Sequence, residues 1–135
     1  MASCSILVVD DEQGLLDTLA QVLTAAGHRV VTASDGQKIG AILAKVRVDL
    51  VLTDLLMPEM DGTEVIAELR KKQPGLPLIA MSGGGRMSSA ECLKIAKILG
   101  AHAILEKPFT NEQLLSTIDR LVPDPKVARD GRAEG

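Results

Sequence analysis

Five times along the chain a short, unbroken apolar run gives way to a longer stretch whose apolar positions recur at helical spacing. The first run, Ile6-Leu7-Val8-Val9, is rich in β-branched residues and has no polar interruption, as expected of a strand covered on both faces. Over residues 13–26, Leu15, Leu16, Leu19, Val22, Leu23 and Ala26 form a helical stripe, and Gly27 is a stop signal. Residues 28–33 predict a second strand around Val30-Val31. Ser34 with Gln37 resembles a capping box for a helix carrying Ile39, Ile42 and Leu43. A third buried strand is predicted at 49–53, followed by a Met/Pro/Asp/Gly-rich turn at 57–62. The helix after it carries Val65, Ile66 and Leu69 and breaks at Pro74-Gly75. Residues 77–81 predict strand four, and Ser82-Gly83-Gly84-Gly85 a loop. Ser88 with Glu91 caps a fourth helix ending at Gly100. Residues 102–105 predict strand five, and Thr110 with Gln113 caps a last helix along Leu114, Leu115, Ile118, Leu121 and Val122. Regular alternation of strand and helix predicts an α/β sandwich on a parallel five-stranded sheet. One domain is expected over 1–122. Residues 123–135, with two prolines and no apolar periodicity, are expected to be a disordered tail.

In an open parallel sheet the carboxyl ends of the strands gather at one edge, where ligands bind. The residues predicted there are Asp10-Asp11, Asp54, Ser82 and Lys107. Three carboxylates suit Mg²⁺, a hard cation that prefers oxygen ligands. A carboxylate can also attack phosphorus and form an acyl phosphate. An anionic nucleophile meeting an anionic donor needs positive charge nearby, which a cation and Lys107 supply, while Ser82 offers a hydrogen-bond donor. Singly, each residue has a plainer explanation: a helix cap for Asp10-Asp11, a solvated turn for Asp54, a loop start for Ser82, a surface charge for Lys107. Their agreement on one edge is what points to function.

Composition narrows the field. The chain has 135 residues, 46% hydrophobic but 1% aromatic, with Phe109 the sole aromatic side chain. An aliphatic core follows. Nucleic-acid grooves that rely on aromatic stacking are disfavoured, and the net charge of −3 gives no footprint for DNA. Cys4 and Cys92 fit neither a zinc site nor a disulfide framework and read as reduced, partly buried thiols. No stretch approaches the ~20 apolar residues of a membrane span, and no signal peptide is evident. A soluble cytoplasmic protein with no direct nucleic-acid or membrane partner is expected.

The assembled motifs, Ile6-Leu7-Val8-Val9-Asp10-Asp11-Glu12, Asp54-Leu55-Leu56-Met57-Pro58-Glu59-Met60-Asp61-Gly62, Met81-Ser82-Gly83 and Lys107-Pro108-Phe109, resemble the receiver domain of two-component response regulators. The resemblance implies a flavodoxin-like (βα)5 three-layer sandwich with strand order 2-1-3-4-5. It also implies that Asp54 accepts a phosphoryl group from a histidine kinase or a histidine phosphotransfer protein. Asp11, Asp54 and the backbone carbonyl of Leu56 would ligate Mg²⁺, with Asp10 acting through a metal-bound water. Lys107 would pair with the acceptor and then the phosphoryl group, Ser82 would swing toward a phosphoryl oxygen, and Pro108 is expected to be cis.

Two features depart from the family pattern. Ile104 occupies the place of the usual aromatic switch residue, so that relay cannot operate. Leu56 and Gly84 stand where side chains usually tune acyl-phosphate hydrolysis, so self-dephosphorylation is expected to be ordinary to slow. The output face is expected around the fourth helix, strand five and the last helix, serving an output protein or a homodimer; on that helix Cys92, Ile95, Ala96 and Leu99 form one stripe with Leu93 and Ile98 outside it, and core packing is the plainer reading. The expectation is a stand-alone phosphoacceptor regulator rather than an enzyme. The rivals are a phosphorylation-independent interaction module and a Mg²⁺-dependent phosphatase; the latter lacks an Asp two residues after Asp54. A nucleotide- or flavin-binding domain is weakest, lacking a Gly-rich first turn.

Overall fold

The computed structural model describes residues 4–34, 38–54, 73, 75–83, 90, 94, 97 and 100–122. Five strands, β1 (Ser5–Val9), β2 (Arg29–Ala33), β3 (Leu50–Asp54), β4 (Leu78–Gly83) and β5 (Ala103–Lys107), pair in parallel in the order β2-β1-β3-β4-β5. The helices α1 (Gln13–Ala25), α2 (Ile39–Lys45) and α3 (Asn111–Leu121) belong to the described residues. The predicted helices around 65–69 and 88–100 fall largely or wholly outside them, as do Leu56, Gly84, Cys92 and the tail 123–135.

Strand periodicity divides the core in two. Alternate side chains leave opposite faces of a strand. Ile6, Val8, Leu50, Leu52, Ile79 and Met81 therefore pack with Leu16, Leu19 and Leu23 of α1 and with Leu114 and Ile118 of α3. Leu7, Val9, Val51 and Leu78 pack on the other face with Ile39 of α2. This two-sided burial is why β1 and β3 read as unbroken apolar runs: a polar residue within them would face one core or the other.

Local signals set the ends of the elements. Past α1, Gly27 has φ +97, a left-handed conformation that disfavours any residue with a Cβ. On α3 the expected capping box is present in both directions: Gln113 N–H donates to Thr110 Oγ1, and Thr110 N–H donates to Gln113 Oε1. The capping box expected at Ser34 and Gln37 spans residues outside the description, and α2 opens at Ile39, with Lys38 as an N-cap that makes no side-chain cap hydrogen bond. Cys4 is buried rather than partly buried. Three strands run further than their apolar runs suggest. Asp54, Ser82 and Lys107 all lie inside strands, because Asp54 pairs with Met81, Ser82 with Glu106 and Gly83 with Lys107. Backbone ladder bonds carry each strand past the point where its side chains turn polar.

Candidate functional site

The carboxyl edge of the three central strands brings the polar residues together. Asp10 follows β1 directly, Asp54 closes β3, Ser82 is the penultimate residue of β4, and Lys107 closes the neighbouring β5. Asp10, Asp54 and Ser82 are buried, whereas Asp11 is exposed. One carboxylate oxygen from each of Asp10, Asp11 and Asp54 lies within 4.8 Å of the other two. Asp11 thus provides the solvent-facing side of a cluster whose other members sit in the protein.

The Lys107 ammonium holds the buried pair together. Its Nζ donates to Asp10 Oδ2 at 2.7 Å and to Asp54 Oδ2 at 3.3 Å. Burial alone would lower its pKa, but the Asp10 hydrogen bond, together with the charges of Asp54 and Asp10, outweighs burial and holds it above the ordinary 10.5. Asp10 is engaged at both oxygens, since Oδ1 accepts the backbone N–H of Glu12 at 2.9 Å. That bond is an Asx turn that leads the chain from β1 into α1. The helix-entry role and the pocket role of Asp10 therefore coexist in one side chain. No local signal along the chain marks Asp10, 97 residues away, as the nearer partner of Lys107.

The donor set fits a small hard cation. All three groups are carboxylates, and their oxygens are close enough for such an ion to be shared among them, with waters completing the shell on the Asp11 side. Among the described residues one ammonium stands against three carboxylates, net negative charge in a largely buried place that a divalent cation would relieve. Ser82 joins the same edge beside Asp54, one strand over. Ile104 is partly buried in β5, and the Lys107–Pro108 peptide is cis. Leu56, expected to offer its carbonyl, lies outside the described residues. No described helix is long and apolar enough to cross a membrane.

The strand order agrees with what is found in known proteins. The family model of the response regulator receiver domain matches residues 6–119. Transcriptional regulatory protein GlrR of Escherichia coli (strain K12) is 39% identical over 127 residues, covering 94% of this chain and 28% of that protein. Among solved structures, chemotaxis protein CheY4 of Vibrio cholerae superposes with a TM-score of 0.80 at 32% identity, over 90% of this chain and 100% of that one. NtrX from Brucella abortus gives 0.83 at 30% identity, over 98% of this chain and 30% of that one. The chain belongs to the response regulator receiver domain family, with its flavodoxin-like fold. It spans less than a third of the length of the GlrR sequence it matches.

Proposed function

We propose that this chain is the phosphoacceptor module of a two-component phosphorelay, with Asp54 as the accepting residue. The observation that carries the reading is the ammonium of Lys107 bridging Asp54 and Asp10 beside a third carboxylate on one sheet edge. A phosphohistidine of a sensor kinase or a histidine phosphotransfer protein is the donor that this chemistry fits. A carboxylate oxygen of Asp54 attacks phosphorus, the P–N bond breaks, and the electron pair leaves on the imidazole nitrogen, which takes a proton from solvent. The product is an aspartyl phosphate.

Asp10, Asp11 and Asp54 are the residues that would hold Mg²⁺, with the Leu56 carbonyl added from the family resemblance. When bound, that ion supplies positive charge that relieves carboxylate repulsion and stabilises phosphoryl oxygens. Lys107 stands close enough to follow Asp54 into the acyl phosphate and pair with a phosphoryl oxygen. Ser82 is placed to donate its hydroxyl to another. The signal would then reach a partner through β5, α3 and the segment between β4 and β5. With Ile104 in β5, the relay works through an aliphatic side chain rather than an aromatic ring. The chain acts as a regulator, its own chemistry limited to taking up and losing the phosphoryl group.

Acetyl phosphate with Mg²⁺, followed by intact mass, tests the reading. A gain of one phosphoryl group that disappears in Asp54→Ala is the expected result. No gain in the unaltered protein, or a gain that survives Asp54→Ala, would sink the assignment.

A further inference from the structure

At the sheet edge opposite the acidic pocket, three side chains close backbone donors at the starts of two strands, β1 and β4. The Cys4 N–H donates to Nδ1 of His28 at 3.2 Å, the Ser5 N–H to Oδ2 of Asp49 at 2.8 Å, and the Leu78 N–H to Nδ1 of His102 at 3.1 Å. Each acceptor immediately precedes the neighbouring strand: His28 before β2, Asp49 before β3, His102 before β5. A backbone bond returns the contact every time, from Arg29 N–H to Cys4 O at 2.9 Å, Asp49 N–H to Ser5 O at 2.7 Å and His102 N–H to Leu78 O at 2.8 Å. The parallel ladder leaves such first donors without strand partners, and these side chains supply the missing acceptors. Both histidines of the chain are used this way.

We propose that His28 is a proton-sensitive clasp: uptake of a proton at Nδ1 releases the start of β1 from the start of β2. A ring nitrogen accepts a hydrogen bond only while it carries no proton, so accepting from Cys4 assigns the neutral ring's proton to Nε2. In the imidazolium both nitrogens are donors. Nδ1–H would then face the Cys4 N–H, with the Cys4 thiol sulfur 3.5 Å away. Nε2 carries a proton in both forms, is buried and has no hydrogen-bond partner among the described residues, so the imidazolium's charge gains no acceptor there. His28 is 4% exposed, which keeps water from replacing the lost bond in place.

The ionisable surroundings of this corner are few. On the β1 side is the Cys4 thiol, which burial, followed by the charges of Asp49 and Asp119, pushes up to about 11. It therefore stays protonated through the range in which imidazoles titrate. Asp49, ahead of β3, has Oδ2 engaged with Ser5, and Asp119 lies on the exposed side of α3. Arg29, next along β2, is exposed. Among the described residues neither carboxylate accepts a hydrogen bond from the ring. An unfolded chain's imidazole takes up its proton around pH 6.5. A proton on Nδ1 removes the acceptor that the Cys4 N–H uses. His102 makes the same kind of bond in an exposed position, where water can substitute, so its contribution is smaller.

Amide hydrogen exchange by NMR on the full chain, corrected for intrinsic rates, tests the clasp. Protection of the Cys4 amide is expected to fall about tenfold or more between about pH 7.5 and about pH 5.5. Ser5, held by a carboxylate, should change several-fold less. In His28→Asn the side-chain oxygen stands where Nδ1 stands and cannot take up a proton, so the Cys4 amide should keep its protection at both pH values. In His28→Leu, which has no acceptor, protection should be low at both. Unchanged protection of the wild type on acidification, or a fall in His28→Asn as large as the wild type's, overturns the proposal. Should His28→Leu not fold, the ring nitrogens of the wild type decide the tautomer. An unprotonated Nδ1 at neutral pH supports the clasp, and a proton on Nδ1 overturns it.

Discussion

The two edges of one sheet are built on opposite principles. At the amino edge polar side chains close bonds at strand starts: His28 with Cys4, Asp49 with Ser5, His102 with Leu78. At the carboxyl edge Asp10, Asp11 and Asp54 are crowded together, with Lys107 bridging only two of them. A strand start offers N–H groups, which single neutral or anionic acceptors can satisfy. The other edge has been loaded with like charge that nothing in the described chain neutralises fully. The first edge contributes stability, and the second holds a repulsion that a cation can relieve. Function resides where the molecule is electrostatically unfinished.

Removing the Lys107 ammonium from the unfinished edge should break this contrast most severely. Lys107→Ala would leave Asp10 and Asp54, both buried, without their shared counter-charge. Breaking a buried pair by deleting one partner costs about 3–5 kcal/mol, and the lower end applies here because the lysine side chain is 21% exposed. Urea unfolding followed by circular dichroism would measure it, since the chain has no Trp or Tyr to report by fluorescence. Added Mg²⁺ should restore stability more in Lys107→Ala than in the wild type, because more uncompensated charge awaits it. An equal or smaller gain would mean that the carboxylates do not form a shared cation site.

Alkaline titration separates the edges by pH. The Cys4 thiol, at the amino edge, is raised from 9.0 to about 11 by burial first and by Asp49 and Asp119 second. Between those values the unfolded chain loses this proton while the folded one keeps it, so stability falls as the pH rises, by about 2 kcal/mol across the window. Lys107, at the carboxyl edge, is also raised, in its case above 10.5. Its contribution is complete below 10.5 and is lost as the pH climbs through the raised value. Cys4→Ala should remove the earlier loss and leave the later one, whereas Mg²⁺ should act only on the later one. If unfolding free energies of Cys4→Ala and wild type run parallel from pH 9 to 11, the thiol is not the group responsible.

How much of this was legible in the sequence depended on whether the signal was local. Ile6 to Val9 declared a doubly covered strand because both faces of β1 meet apolar neighbours, and Thr110 with Gln113 declared a helix start because both halves of the cap lie three residues apart. The family motifs placed Asp10, Asp11, Asp54, Ser82 and Lys107 at one edge, and the structure brings them there. Strand ends were less readable: Asp54, Ser82 and Lys107 looked like residues beyond the strands because polarity was taken as the limit, whereas pairing with Met81, Glu106 and Gly83 carries the ladder through them. The amino-edge clasps were not readable at all. A histidine 24 residues from the amide it accepts from has no periodicity to betray it, and only its place just ahead of a strand could have prompted the question.

Asp49 offers the finest discrimination between the edges. Its carboxylate accepts the Ser5 N–H in a partly buried position, and hydrogen bonds to charged groups contribute about 1.5–3 kcal/mol. Asp49→Ala should therefore lower stability by about 1.5 kcal/mol, while Asp49→Asn, which keeps an oxygen acceptor, should lose less than half of that. Asp49→Asn should also bring the Cys4 thiol pKa down, since the Asp49 charge helps to raise it, and so narrow the alkaline window. Neither variant should alter the stabilisation gained from Mg²⁺. The five residues of β1 span about 17 Å at about 3.3 Å each, roughly twice the screening length of about 8 Å at physiological salt. A change in the Mg²⁺ increment on replacing Asp49 would mean that the two edges communicate through the strand itself, and the division of labour between them would have to be abandoned.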